Sequence, residues 1–181
     1  AAQMRFKNES GGTWSAYETY GTSKAWTLAS GDGAKAVYVE FKDLAGNSGM
    51  IFDTITLDTI APSVPSLSSP ANGAYTNDTT PTFVWNASSG SPVSYQIQMD
   101  DNSSFNSPTT VTAVSTAYTS GILAEGAYYW RVKAKDAVGN WSSYSAFSTL
   151  HIDTTAPSAP TLSAPADGAY TNDTTPTLSW G

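Results

Sequence analysis

One block of this chain occurs twice, and it constrains the fold more than any other feature. Residues Asp58 to Trp85 read DTIAPSVPSLSSPANGAYTNDTTPTFVW, and Asp153 to Trp180 read DTTAPSAPTLSAPADGAYTNDTTPTLSW, agreeing at 21 of 28 positions. The offset from residue 58 to residue 153 is 95 residues, about the span of one small β domain. A chain of 181 residues therefore reads as small modules in series and not as one large domain. By the repeat, residues 59–154 form one complete module. Residues 1–58 read as the later part of a module whose first two strands are missing, and 155–181 as the first two strands of another. What the front lacks, the back supplies.

The segments between the marks alternate with the period of a strand. Met4 and Phe6 share one face while Gln3, Arg5 and Lys7 share the other, and Tyr95, Ile97 and Met99 repeat the pattern against Gln96 and Gln98. Ala36 to Lys42 places Val37, Val39 and Phe41 inward, and Tyr128, Trp130, Val132 and Ala134 oppose Tyr129, Arg131, Lys133 and Lys135. Both segments end in like turns, Asp43-Leu44-Ala45-Gly46-Asn47 and Asp136-Ala137-Val138-Gly139-Asn140. Gly and Asn tolerate positive φ there, and Asp accepts hydrogen bonds from the backbone ahead of it. Short last strands are expected at Ile55 to Leu57 and Leu150 to Ile152, and several short strands with turns between Gly11 and Gly33. The prolines Pro62, Pro65, Pro157 and Pro160 stiffen the crossings and cannot donate to a ladder. No stretch sustains a helical period.

Composition narrows the function classes. Charged residues are only 13% of the chain, apolar residues 40%, and Ser with Thr about a quarter, a bias that suits strands. A net charge of −7 and a pI near 4.4 exclude a basic footprint for nucleic acid. There is no Cys, so any exported module is held by its core alone. No run of about 20 apolar residues is present to span a membrane, and AAQMRFKNES carries no signal-peptide pattern.

Trp85, Tyr95 and the run Tyr128-x-Trp130-x-Val132-x-Ala134-x-Asp136 resemble the core pattern of fibronectin type III domains. The Asp-Thr-Thr-Ala-Pro linker and the Asp-x-x-Gly-Asn turns are similar to the Ig-like tandem repeats of large bacterial and archaeal surface proteins. The resemblance covers the whole chain. It implies an all-β fold of tandem antiparallel Greek-key β-sandwiches. Tyr128, preceded by Leu123, looks like that family's tyrosine corner, whereas Lys35 takes the equivalent place in the first module, whose corner must close another way. The family hosts adhesion, spacing and sugar contact, so the fold alone does not fix function.

Candidate sites follow from the same reading. His151 is the single histidine, and with no second His and no Cys neither a triad nor a transition-metal site assembles. Asp100-Asp101 is expected as a solvated turn pair, and no enzyme is expected. Asp53, Asp58, Asp153, Asp43 and Asp136 lie near module ends, where calcium would rigidify a junction, although no loop alternates acids over a dozen residues. Trp14, Tyr17, Tyr20, Trp26, Trp141 and Tyr144 are more aromatics than a small core needs; most are expected as core or inter-strand cover, and any exposed row of them would stack on polysaccharide. Asn-x-Ser/Thr occurs at Asn8, Asn77, Asn86, Asn102, Asn140 and Asn172, mainly in expected turns open to glycosylation.

The expectation is a non-enzymatic extracellular or cell-surface module of a repetitive fibre, sheath or stalk, with adhesin or carbohydrate-binding accessory region of a secreted enzyme as the alternative. Its partners are neighbouring modules or identical chains. Either the chain is a slice of a longer array, or the tail of one chain fills the gap in the next, which builds an open filament. In the second case Met4, Phe6, Leu178 and Trp180 form an assembly interface exposed in a lone chain.

Overall fold

The structure is a computed structural model that describes residues 1–181. It is all-β. The chain opens with β1 (Gln3–Asn8), β2 (Glu18–Thr19), β3 (Gly33–Lys42) and β4 (Ser48–Leu57), which form one antiparallel sheet in the order β2-β1-β3-β4. Next come β5 (Ser66–Ser69), β6 (Ala74–Thr76), β7 (Thr82–Asn86), β8 (Ser94–Asp100), β9 (Thr109–Ala113), β10 (Ala117–Thr119), β11 (Gly126–Lys135) and β12 (Ser148–Ile152). These make a three-stranded sheet, β10-β7-β5, and a five-stranded sheet, β6-β12-β11-β8-β9. The chain closes on a small antiparallel pair, β13 (Leu162–Ala164) with β14 (Ser179–Trp180).

The sandwich of β5 to β12 follows from strand alternation. Tyr95, Ile97 and Met99 on β8 face Trp130, Val132 and Ala134 on β11 and Leu150 and Ile152 on β12, and all eight are buried. Phe83 and Trp85 on β7 close the core from the other sheet. The rings meet edge to face, Phe83 with Trp130 at 5.0 Å and Trp85 with Tyr95 at 5.6 Å between centroids, the geometry their quadrupoles favour. Burying each of these large side chains contributes roughly 1.5–3 kcal/mol. At the corner before β11, the Tyr128 hydroxyl donates to the Ala124 carbonyl at 3.2 Å. In the opening sheet the Lys35 ammonium donates to the Ser30 carbonyl at the same distance, 3.2 Å, so a cation closes the corner that lacks the phenol.

The opening sheet has no second sheet over it. Directly opposed residues share a face, and the register Phe6↔Val39↔Ile51, with Lys35↔Ile55, puts Met4, Phe6, Val37, Val39, Phe41, Ile51 and Ile55 on one side. Ile55 is 56% exposed, whereas Leu150, its counterpart 95 residues on, is fully buried beneath β7. Likewise Leu178 and Trp180 on and beside β14 are 60% and 64% exposed, while their counterparts Phe83 and Trp85 are buried.

Met4 and Phe6 depart from expectation. Both are buried within the single chain, because the segment after β2 folds back over them. The Gly21 backbone N–H reaches the Met4 sulfur at 3.4 Å, and the Trp26 ring packs on Phe6 at 5.3 Å. The exposed part of this face is thus the β4 edge, and of the four residues assigned to an interface only Leu178 and Trp180 lie open. Other differences are local. The strand ending at Leu57 begins at Ser48, ten residues in all, because every residue of β4 finds a partner on β3. Between Gly11 and β3 only Glu18–Thr19 forms a ladder. Asp100 is not a solvated turn acid. It is buried at the end of β8, its carboxylate accepting from Asn102 and Ser107 backbone N–H groups at 3.2 and 3.0 Å, while Asp101 is exposed.

Candidate functional site

The outward face of β11 presents Arg131, Lys133 and Lys135, and the chain that follows lays aromatic rings among them. Ser142 and Ser145 set this up. Their backbone N–H groups donate to the Ala134 and Val132 carbonyls at 2.9 and 2.8 Å, and their hydroxyls accept from the Ala134 and Val132 N–H groups at 2.9 and 3.1 Å. Each serine thereby satisfies both backbone groups of one β11 residue, which fixes the extended segment Trp141–Ser145 against the strand without a regular ladder. Trp141 then lies 4.4 Å from the Lys133 ammonium, Tyr144 lies 4.8 Å from Lys133 and 4.4 Å from Arg131, and Phe105 lies 3.9 Å from Arg131. Cation and ring alternate along the stack. Arg131 is further held by the Gln98 side-chain carbonyl at 2.8 and 3.0 Å, and the Tyr144 hydroxyl donates to Gln96 at 2.7 Å. Burial raises the Tyr144 phenol pKa, against the opposing pull of Arg131.

The opening sheet builds a similar stack on its other edge. Ser15 donates its N–H to the Phe6 carbonyl at 2.8 Å and accepts from the Phe6 N–H at 3.0 Å. That places Trp14 within 4.8 Å of Arg5 and 4.9 Å of Lys7, and Tyr17 within 4.5 Å of Arg5 and 5.1 Å of Lys42. Glu40 pairs with Arg5 and accepts from the Tyr17 hydroxyl at 2.8 Å. That hydrogen bond, the larger effect, raises the Tyr17 pKa, and the Arg5 partnership, followed by Tyr17, lowers that of Glu40.

These contacts make most of the surplus aromatics cover on the sheets and not an open row. Trp14, Tyr17, Trp141 and Tyr144 are half-buried against cations, and Trp26 covers Phe6, while Tyr20 is 46% exposed with its ring edge on Phe41 at 6.0 Å. Sequence reading placed the cations outward and most of the aromatics as cover, but missed that serines would bring the two together.

The Asn side chains divide into two groups. Asn8 donates to the Thr27 carbonyl and accepts from the Trp26 indole, Asn86 donates to the Ser66 hydroxyl, and Asn140 donates to Asp136 and to the Asp58 carbonyl. Asn8 and Asn86 sit at strand ends and not in turns. Asn77, Asn102 and Asn172 are exposed, as Asn86 also is, and of these three Asn102 accepts from the Ser104 N–H at 2.8 Å. His151 stacks on Tyr75 at 4.4 Å on β12. The junction acids do not converge, for no three His, Cys, Asp or Glu side chains lie together. Asp43 and Asp136 instead cap their own turns, Asp136 accepting from the Gly139 and Asn140 N–H groups at 2.7 and 2.8 Å. Burial pushes the Asp136 pKa up, but the bonds from Asn140, Gly139 and Val138 outweigh it and hold the carboxyl below its ordinary value.

Comparison with known proteins adds the family. The bacterial Ig-like domain family matches residues 63–154, half of the chain. This chain belongs to the bacterial Ig-like domain family. The matched stretch of this bacterial Ig-like chain is the two-sheet sandwich described above. Chitinase A1 of Niallia circulans is 34% identical over 170 residues, 88% of this chain and 22% of that protein's length. Fibronectin(III)-like modules of Clostridium thermocellum CbhA superpose with a TM-score of 0.54 at 16% identity, covering 83% of this chain and 77% of theirs. That likeness concerns the fold alone. No helix is long and apolar enough to cross a membrane.

Proposed function

We propose that this chain is a non-enzymatic, extracellular spacer in a repetitive surface or secreted protein, in which sandwiches follow one another along proline linkers and each sheet is completed by a first-strand pair of the repeated type. The division into residues 1–58, 59–154 and 155–181 is part of the proposal. One observation carries it: Leu150 is buried beneath Phe83 and Trp85, while at the equivalent positions Ile55, Leu178 and Trp180 stand in solvent. The block that covers one face therefore exists again, uncovered, and beside the shielded Met4 and Phe6 the β4 side of an equivalent face stands open.

Completion between separate chains, head to tail, is tested on the chain itself. Because the sequence has no Cys, Ile55→Cys with Leu178→Cys offers two thiols only. Oxidation is expected to give a disulfide-linked ladder of chains, and light scattering a mass that rises with concentration. A monomer at all concentrations, without crosslinks, would exclude assembly between separate chains and confine completion to neighbouring repeats of one polypeptide.

A second reading, an accessory region of a secreted polysaccharide-degrading enzyme, is favoured by the 34% identity to a chitinase. Its test is a pull-down on chitin and on other cell-wall polymers, with Trp141→Ala and Tyr20→Ala as variants. Retention that the variants abolish supports it, and passage of the unmodified chain through every polymer rejects it.

A further inference from the structure

The passage from the opening sheet into the sandwich is a single peptide unit gripped from both sides. Its N–H, on Thr59, donates to the Asp32 carboxylate at 3.0 Å, and the Thr59 hydroxyl donates to the same carboxylate at 2.8 Å. Its carbonyl, on Asp58, accepts from the Asn140 side-chain amide at 3.1 Å. Asp32 belongs to the turn before β3, in the preceding unit, and Asn140 to the turn after β11, in the following one. In a trans peptide the N–H and C=O point in opposite directions, so two modules holding the two ends fix the plane between them. Rotation about the bonds on either side of that plane would break one grip or the other.

Adjacent contacts continue the seat. The Asp58 carboxylate accepts from the Ile60 N–H at 3.1 Å, turning the chain. Ser63 donates to the Ser89 carbonyl at 3.1 Å, and the Ser89 N–H donates to the Ser63 hydroxyl at 2.9 Å. Gly90, at φ 84°, lies so close to the linker that a Cβ there would meet the Pro62 Cα at 3.0 Å.

The repeat reproduces the presenting half of this joint. Glu125, placed before β11 as Asp32 is before β3, accepts from the Thr154 N–H at 3.3 Å and from the Thr154 and Thr155 hydroxyls at 2.9 and 2.8 Å. Asp153 likewise accepts from the Thr155 N–H at 3.1 Å. The receiving half is also repeated: Asn47 closes its turn onto Asp43 as Asn140 does onto Asp136, with Nδ2 to carboxylate distances of 2.8 and 2.9 Å.

From this we infer that the Asp-x-x-Gly-Asn turn is a docking site for the Asp-Thr linker peptide entering the same module, and that with the acid of the preceding module, Asp32 before β3 or Glu125 before β11, it makes each junction a rigid two-sided joint. Asn47 is then the receiving group for an Asp-Thr linker arriving from a preceding module. The inference concerns joints within one polypeptide, so it stands apart from completion between chains, and it deepens the spacer reading by assigning the stiffness to named contacts.

The test places spin labels at Ser10→Cys and Ser103→Cys, exposed sites in the two units, and reads the distance distribution by pulsed electron paramagnetic resonance at a dilution where light scattering reports monomer. The unmodified chain is expected to give one narrow distribution. Asp32→Ala and Asn140→Ala are each expected to widen it at least twofold, and Asp53→Ala, an acid of the same sheet that touches no linker group, to leave it as it was. Asn140→Ala also loosens its own turn, so Asp32→Ala with an unchanged melting temperature of the sandwich is the decisive variant. A distribution equally narrow in Asp32→Ala, or already broad in the unmodified chain, would overturn the joint.

Discussion

Leu150→Ala and Ile55→Ala are the same change at equivalent repeat positions, and the structure assigns them different costs. Leu150 is fully enclosed between the two sheets of the sandwich. Its truncation removes buried methyl groups and leaves a cavity that a close-packed core only partly refills, at about 3 kcal/mol, within the 2–5 kcal/mol range for such changes. For a sandwich of this size, each kcal/mol moves the midpoint by roughly 4–8 °C, so the melting temperature should fall by about 12 °C or more. Ile55 is 56% exposed on a face without a second sheet. Three carbons at about 0.8 kcal/mol each, scaled to the half that is buried, give about 1 kcal/mol with no cavity. The transition of the opening unit should then fall by roughly 4–8 °C, and that of the sandwich, to whose core Ile55 does not belong, should stay where it was. Calorimetry of the two variants at a concentration where the chain is monomeric checks this. Equal shifts would refute the reasoning, since they would mean that Ile55 is enclosed as Leu150 is and that the opening sheet carries its own cover.

Four further outcomes follow from named contacts. Tyr128→Phe removes one hydrogen bond at the corner before β11 and should cost about 0.5–1.5 kcal/mol in urea unfolding. Gly90→Ala forces a Cβ against the Pro62 backbone at a positive φ and should destabilise by more than about 1 kcal/mol, where Ala elsewhere in a loop would be neutral or helpful. The Thr59 N–H, then its hydroxyl, holds the Asp32 pKa low, and the Thr155 hydroxyl, then Thr154, does the same for Glu125. Both folded values lie below the unfolded ones, about 3.9 and 4.3. Their stabilisation of the junctions is therefore complete above that range and lost as pH falls through the folded values. The spin-label distribution should broaden in acid, and Asp32→Asn should remove the pH dependence of the first junction. Lys133→Met should free the Trp141 and Tyr144 rings at a cost of about 1 kcal/mol, read by chemical denaturation.

Much of the sandwich was legible in the sequence because its signals are local and redundant. The strand period sorted Ile97, Val132 and Trp130 inward and Arg131 and Lys133 outward, and the resemblance to fibronectin type III domains put Trp85 in the core. What escaped depended on contacts between distant segments. Met4 and Phe6 alternate like any half-covered strand, and nothing in that pattern tells that Gly21 and Trp26 return to shield them. The serine bridges from Ser15, Ser142 and Ser145 replace a ladder by hydroxyls, which leaves no period to detect. Asp32 and Asn140 lie on opposite sides of the linker in sequence, and only the fold brings both to one peptide unit. A hint was present in the duplicated Asp-Thr and the paired Gly-Asn turns, whose kinship is clear but whose meeting is not.

The parallel pairing of β6 with β12, Leu150 opposite Ala74 and Ile152 opposite Thr76, bears on how the sandwich answers tension. The polypeptide enters just ahead of β5 and β6 and leaves directly from β12, so a pull applied at the two linkers drags these neighbours lengthwise past each other. The bonds from Gly73 to Thr149 and from Asp153 to Thr76, at 2.8 and 2.9 Å, then share the load with the ladder between them and must rupture together. Were such units strung in an array, stretching would be opposed by shear along these strands, and each sandwich would yield as a unit.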